Sequence, residues 1–74
     1  MRVISQDGSV SVPFEYAIIM ADENQVVAVT VDSPFNRLMA TYSSHEEALA
    51  AMGDMHHHYK CNYTTFRFEE HYRV

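Results

Sequence analysis

The chain has one cysteine, two glycines, two prolines, no tryptophan and only five lysine-plus-arginine residues among its 74. Each scarcity excludes something. The lone thiol, Cys61, rules out an intrachain disulfide and fits a reducing compartment. Two glycines cannot build a phosphate loop, which needs several backbone amides in a nest. The cations Arg2, Arg37, Lys60, Arg67 and Arg73 are scattered, and against ten Asp and Glu they leave a formal net charge of -5. That balance argues against non-specific nucleic-acid binding, which needs clustered cations to release counterions, and against an anionic membrane as partner. A small anion held by two or three arginines stays open, because local field matters more than net charge. Met1 to Asp7 contains no long apolar run, so it reads as neither signal peptide nor membrane anchor. A cytoplasmic location is expected.

What is present is the composition of one folded domain, residues 1–74, with 47% hydrophobic and 20% charged residues. Asp7-Gly8 between apolar runs signals a hairpin. Pro13 lacks an amide donor and places Val10 to Phe14 at an edge or an end. Tyr16 to Met20 and Gln25 to Val31 read as strands, the second on its β-branched content. Asp22-Glu23-Asn24 is a turn and Asp32 to Asn36 a loop, followed by a strand over Arg37 to Tyr42. The period then changes. Ser43 with Glu46 and Ser44 with Glu47 form overlapping capping boxes. They open a helix from about Ser44 to Tyr59 with Ala48, Met52, Met55 and Tyr59 on its apolar stripe, flanked by Leu49 and Ala51. Tyr63 to Phe68 alternates as a last strand, and Glu69 to Val74 is left as a fraying tail. The expected fold class is α+β: a small antiparallel sheet of about five to six strands with one helix on one face, strands first, then helix, then a last strand.

One mismatch in this pattern carries weight. Ile18 and Met20 alternate with Ala17 and Ile19, and Val27, Val29 and Val31 with Val26, Ala28 and Thr30. Strands with a single buried face alternate apolar and polar, whereas these are apolar on both. The chain offers only one helix, so a homo-oligomer is expected, with the second face buried against another copy; the alternative is a strongly curled sheet that wraps its own residues.

His56-His57-His58 invites a metal reading. Successive helix residues point about 100° apart, so three adjacent histidines cannot face one ion. His57 and Cys61 alone have the i, i+4 spacing of metal ligands, and two ligands do not close a site. No metal and no other cofactor are expected. Cys61 has no evident base and orienting group, and no Gly-x-Ser-x-Gly elbow is present. The residues therefore favour a binding protein over an enzyme. The alternatives are a small metal- or thiol-dependent enzyme built on His56 to His58 and Cys61, and a structural virion oligomer.

Met1 to Gly8, the Val12-Pro13-Phe14-Glu15 that follows and the Met39 to Ala48 segment resemble small proteins from phages and prophages of Gram-positive bacteria. The resemblance implies an accessory protein in the host cytoplasm that counters host defence, either by inhibiting a defence protein or by sequestering a nucleotide signal in an oligomer. It implies no catalytic residues. For a nucleotide, the candidate ligand residues are Arg2, Arg37 and Arg67 with the rings of Phe35 and Tyr42, because a guanidinium fork suits phosphate and a ring suits stacking.

Overall fold

The computed structural model describes residues 1–74, apart from the side chain of Pro34. The chain opens with β1 (Arg2–Ile4) and β2 (Ser11–Pro13), the antiparallel hairpin that Asp7-Gly8 signals. Asp7 holds the turn between them. Its Oδ1 accepts from Ser9 Oγ at 2.7 Å, Ser9 N at 2.9 Å and Ser5 Oγ at 2.8 Å. These bonds, the Ser9 hydroxyl foremost, lower its carboxyl to about 2. Gly8 takes φ +81°, which an L side chain rarely adopts. After Pro13 a 3-10 turn, Phe14–Tyr16, leads into a meander of β3 (Ala17–Asp22), β4 (Gln25–Thr30) and β5 (Ser33–Thr41). The helix α1 (His45–Lys60) and a short β6 (Thr65–Arg67) complete the chain.

The α+β class and the element order are as expected, but the strands do not form one sheet. They split into two three-stranded sheets, β2-β1-β6 and β3-β4-β5. The first is mixed rather than antiparallel, because β6 runs parallel to β1 with Val3 opposite Phe66. The expected loop over Asp32 to Asn36 is also corrected. The reversal is confined to Val31 and Asp32, and β5 begins at Ser33. Register shifts against β4 absorb the irregularity that reads as loop, and one of them falls where Met39 and Ala40 are both buried.

The sheets are joined through Gln6. Its amide donates to Met39 O at 2.7 Å, and its side chain exchanges bonds with both backbone groups of Thr41 at 3.2 and 3.3 Å. The core unites both sheets with the helix: Val3, Val12, Phe66 and Phe68 meet Val26, Ala28, Met39, Tyr42 and the helical Ala48, Ala51 and Met55. Ile19, Ala17 and Ala21 face this core, and their neighbours Ile18 and Met20 face out at 66% and 40% exposure.

The helix starts as its caps require. Ser44 Oγ accepts from Glu47 N at 3.1 Å. Of the expected stripe Ala48 and Met55 are buried with the flanking Ala51, and Met52 packs partly buried against the core; Tyr59 and the flanking Leu49 are exposed, and Glu47 is buried in addition. The tail is tied to the body at Glu69 and Tyr72, which accounts for the burial of Glu47. Tyr72 N donates to Glu47 Oε2 at 2.8 Å and Tyr72 Oη to Asp54 Oδ2 at 2.7 Å, while Tyr42 Oη donates to Glu69 O at 2.9 Å. Glu47 Oε1 takes the Ser43 amide at 3.0 Å and hydroxyl at 2.7 Å. The Tyr72 amide, then the Ser43 donors, hold the Glu47 carboxyl below its ordinary 4.5.

This has a pH consequence. A carboxyl depressed in the fold contributes stability that is complete above its unfolded value and is lost as pH falls through the folded one. Glu47→Ala should lower Tm by on the order of 5 °C at neutral pH, with the gap to the parent closing below pH about 4. Thermal melts across that range check it, and a gap unchanged at the acid end contradicts it.

Candidate functional site

Among the described residues, one cleft draws its lining from both sheets. Its volume is about 460 Å³, and it is lined by Arg2 from β1, Ser11 to Pro13 from β2, Tyr16 from the 3-10 turn, Thr30 to Asp32 at the β4–β5 reversal and Arg37 from β5. That volume falls within the range of small-molecule sites, roughly 300–1,000 Å³. The local folding of each sheet sets the lining. The hairpin register puts Arg2 opposite Pro13, so the Arg2 side chain runs along Ser11, with Nε donating to Ser11 Oγ at 3.0 Å and Nη2 to Ser11 O at 3.1 Å. These two bonds fix the guanidinium plane. In the second sheet Arg37 pairs with Ala28 next to the β5 irregularity, which brings it to the same cleft.

The electrostatics follow from three groups. Arg2 and Arg37 contribute two positive charges and Asp32 one negative charge. Asp32 is held ionised below its ordinary range, chiefly by the Thr30 hydroxyl at 2.6 Å, and least by the nearby charge of Arg37. The cleft therefore carries a net positive charge on a chain whose formal net charge is -5. Two of the five cations of the chain converge here. Tyr16, 74% exposed, offers a ring at the mouth. The arrangement presents guanidinium donors, hydroxyls and an aromatic face, the chemistry that receives a phosphate carrying a planar group.

Of the five ligand residues expected from sequence, the structure brings Arg2 and Arg37 together and leaves the other three elsewhere. Arg67 lines a separate cleft of about 360 Å³ with Asp54, His58 and Glu69, and its Nη2 donates to Gln6 O at 3.1 Å. Phe35 is 76% exposed on β5 and outside the cleft lining. Tyr42 is buried at 5% exposure and spends its hydroxyl on the Glu69 carbonyl, and burial raises its phenol far above the usual range. It is a structural residue that cannot stack on a ligand. Sequence reading missed Tyr16, Ser11, Thr30 and Asp32. Only the register reveals them: Ala17 opposite Thr30 sets Tyr16 beside the β4–β5 reversal.

The histidine run divides as helix geometry requires. His56 Nδ1 lies 2.8 Å from Met52 O and His58 Nδ1 2.8 Å from Asp54 O, each turned back onto its own helix. His57 Nε2 lies 3.8 Å from Cys61 Sγ. Among the described residues no third His, Cys, Asp or Glu joins that pair into a group that could hold a metal ion. No helix is long and apolar enough to cross a membrane.

Comparisons with protein-family models, with curated proteins and with solved structures find no match. The reading of the cleft therefore rests on its own chemistry.

Proposed function

We propose that this chain is a non-catalytic phage or prophage accessory protein that works in the host cytoplasm as a homo-oligomer, binding a small anionic nucleotide in the Arg2–Arg37 cleft. One observation carries the reading. Two of the few cations in an acidic chain meet across the junction of two sheets, beside an exposed tyrosine ring. Asp32 offsets one of the two positive charges, which leaves the cleft net positive and suited to an anion. Arg2 is the pre-oriented fork, because Ser11 holds its Nε and one Nη and leaves its other nitrogen free to donate. Arg37 supplies the second charge and Tyr16 the stacking face. Sequestration needs binding without turnover, which suits a site made of donors and a ring.

Thermal-shift screening against cyclic mononucleotides, cyclic dinucleotides, cyclic ADP-ribose isomers and inorganic phosphate tests the reading. A ligand present at about a hundredfold over its Kd should raise Tm by on the order of 10 °C. Phosphate alone should act weakly, because it lacks the stacking group. A flat response across the panel overturns the proposal.

A further inference from the structure

The two sheets have four edges, and three of them carry features that oppose pairing with another chain. The β2 edge is three residues long and ends in Pro13. The β6 edge is also three residues long, with Arg67 at its end. The β5 edge is covered at Met39 and Thr41 by Gln6, its sequence carries Pro34 and Arg37, and its pairing with β4 is broken by register shifts. These are the devices that keep sheet edges from joining other chains: shortness, proline, charge, irregularity and cover. Of these the outer edge of β3 has only a charge at its end, Asp22. It runs six residues, Ala17–Asp22, with unbroken register to β4. Among the described residues it makes no backbone bond outside the meander. Its sequence Ala-Ile-Ile-Met-Ala is uncharged, and Ile18 and Met20 stand 66% and 40% exposed on its outer face.

We infer that a second copy of this chain pairs antiparallel along β3, joining the two meanders into one six-stranded sheet. The inference rests on the homo-oligomeric part of the reading above and is independent of what the cleft binds. Geometry fixes the register. Asp22 and Gln25 flank a two-residue turn, so they form a hydrogen-bonded pair, as do Met20 with Val27 and Ile18 with Val29. The backbone groups of Ala17, Ile19 and Ala21 are therefore the ones that point away from β4. Two copies meeting about a twofold axis at Ile19 place these three residues in bonding positions. Opposed residues share a face, so Ile18 then lies opposite the partner's Met20, and each covers the other's exposed apolar surface.

Charge selects a second copy over an arbitrary strand. The antiparallel arrangement lays the acidic turn of each chain, Asp22 and Glu23, beside the other chain's Tyr16 end, where Arg2 and Arg37 line the cleft. Glu15, the one acid there on the 3-10 turn, is already neutralised by the N-terminal amine at 2.9 Å. The pairing is closed, because both copies use the same β3 edge about one twofold axis.

The test is the molar mass of the full chain by size-exclusion chromatography with light scattering, at tens of micromolar. The parent should run as a dimer. Ile18→Lys changes an exposed side chain, so the fold should persist by circular dichroism, and it should weaken association by about a hundredfold through two like charges buried at the seam. Adding Met20→Glu to Ile18→Lys should restore the dimer, since lysine then faces glutamate twice across the axis. A monomeric parent, an Ile18→Lys variant of unchanged mass, or a double variant that stays monomeric each overturns the pairing. Nucleotide-induced Tm shifts on the same samples report the cleft separately, so failure of one reading is distinguishable from failure of the other.

Discussion

Phe68→Ala should remove a large share of the protein's stability and move its urea midpoint sharply down. Phe68 is the largest of the fully buried side chains, at 2% exposure. Its ring meets Phe66 edge-on, with centroids 5.0 Å apart, and its amide donates to Ile4 O at 3.2 Å. It thus packs under the first sheet while continuing the β1–β6 ladder beyond Arg67. Truncating a buried phenylalanine costs about 3–5 kcal/mol. A domain of this length has a total stability on the order of 4–11 kcal/mol, so one substitution removes a large part of it. Tyr63→Ala is the control, because Tyr63 is 55% exposed and should change stability by under about 1 kcal/mol. Urea unfolding of the three proteins measures both effects. Similar midpoints for Phe68→Ala and the parent would mean that the first sheet does not share the core.

Arg2→Ala and Arg37→Ala should each cost about ten- to a hundredfold in affinity for a nucleotide anion, since a hydrogen bond to a charged group is worth roughly 1.5–3 kcal/mol. The two losses have different characters. Arg2 is anchored by Ser11, so Arg2→Lys should lose nearly as much as Arg2→Ala, because a lysine cannot bond Ser11 and fork toward a phosphate together. Arg37 has no such anchor among the described residues and acts as a charge near Asp32, so Arg37→Lys should retain most of the affinity. Arg67→Ala should leave binding unchanged, because Arg67 lies in the other cleft. Titration calorimetry of these variants reads the pattern directly, and equal losses at Arg2, Arg37 and Arg67 would indicate diffuse attraction in place of a site.

The parts of this fold that can be read from sequence are the local ones. Ser44 and Glu47 mark the helix start because the cap is a bond between neighbours. The β3–β4 hairpin is legible because its two strands adjoin across a short turn, and Phe66 with Phe68 is legible as one buried face of an alternating run. The division into two sheets is not legible, because β6 finds β1 across nearly the whole chain and no local pattern encodes that choice. Glu47 reads only as a capping-box acid at the helix start until Tyr72, 25 residues on, donates to it. The apolar outer face of β3 was the one non-local feature that sequence could announce, because Ile18 and Met20 break the polar alternation of a one-sided sheet. The cleft was half legible. Arginine chemistry pointed to Arg2 and Arg37, and only the register separated them from Arg67 and supplied Tyr16 as the ring in place of Phe35 or Tyr42.

The central claim is that an anion sits between Arg2 and Arg37. The most direct test is a titration followed by two-dimensional ¹⁵N–¹H NMR, adding whichever nucleotide gives the largest thermal shift. Saturable changes should be confined to Arg2, Ser11, Tyr16, Thr30 to Asp32 and Arg37, including the arginine Nε–H signals. Saturable changes centred on His56 to Cys61 or on Arg67, or no saturable change at all, would contradict the account.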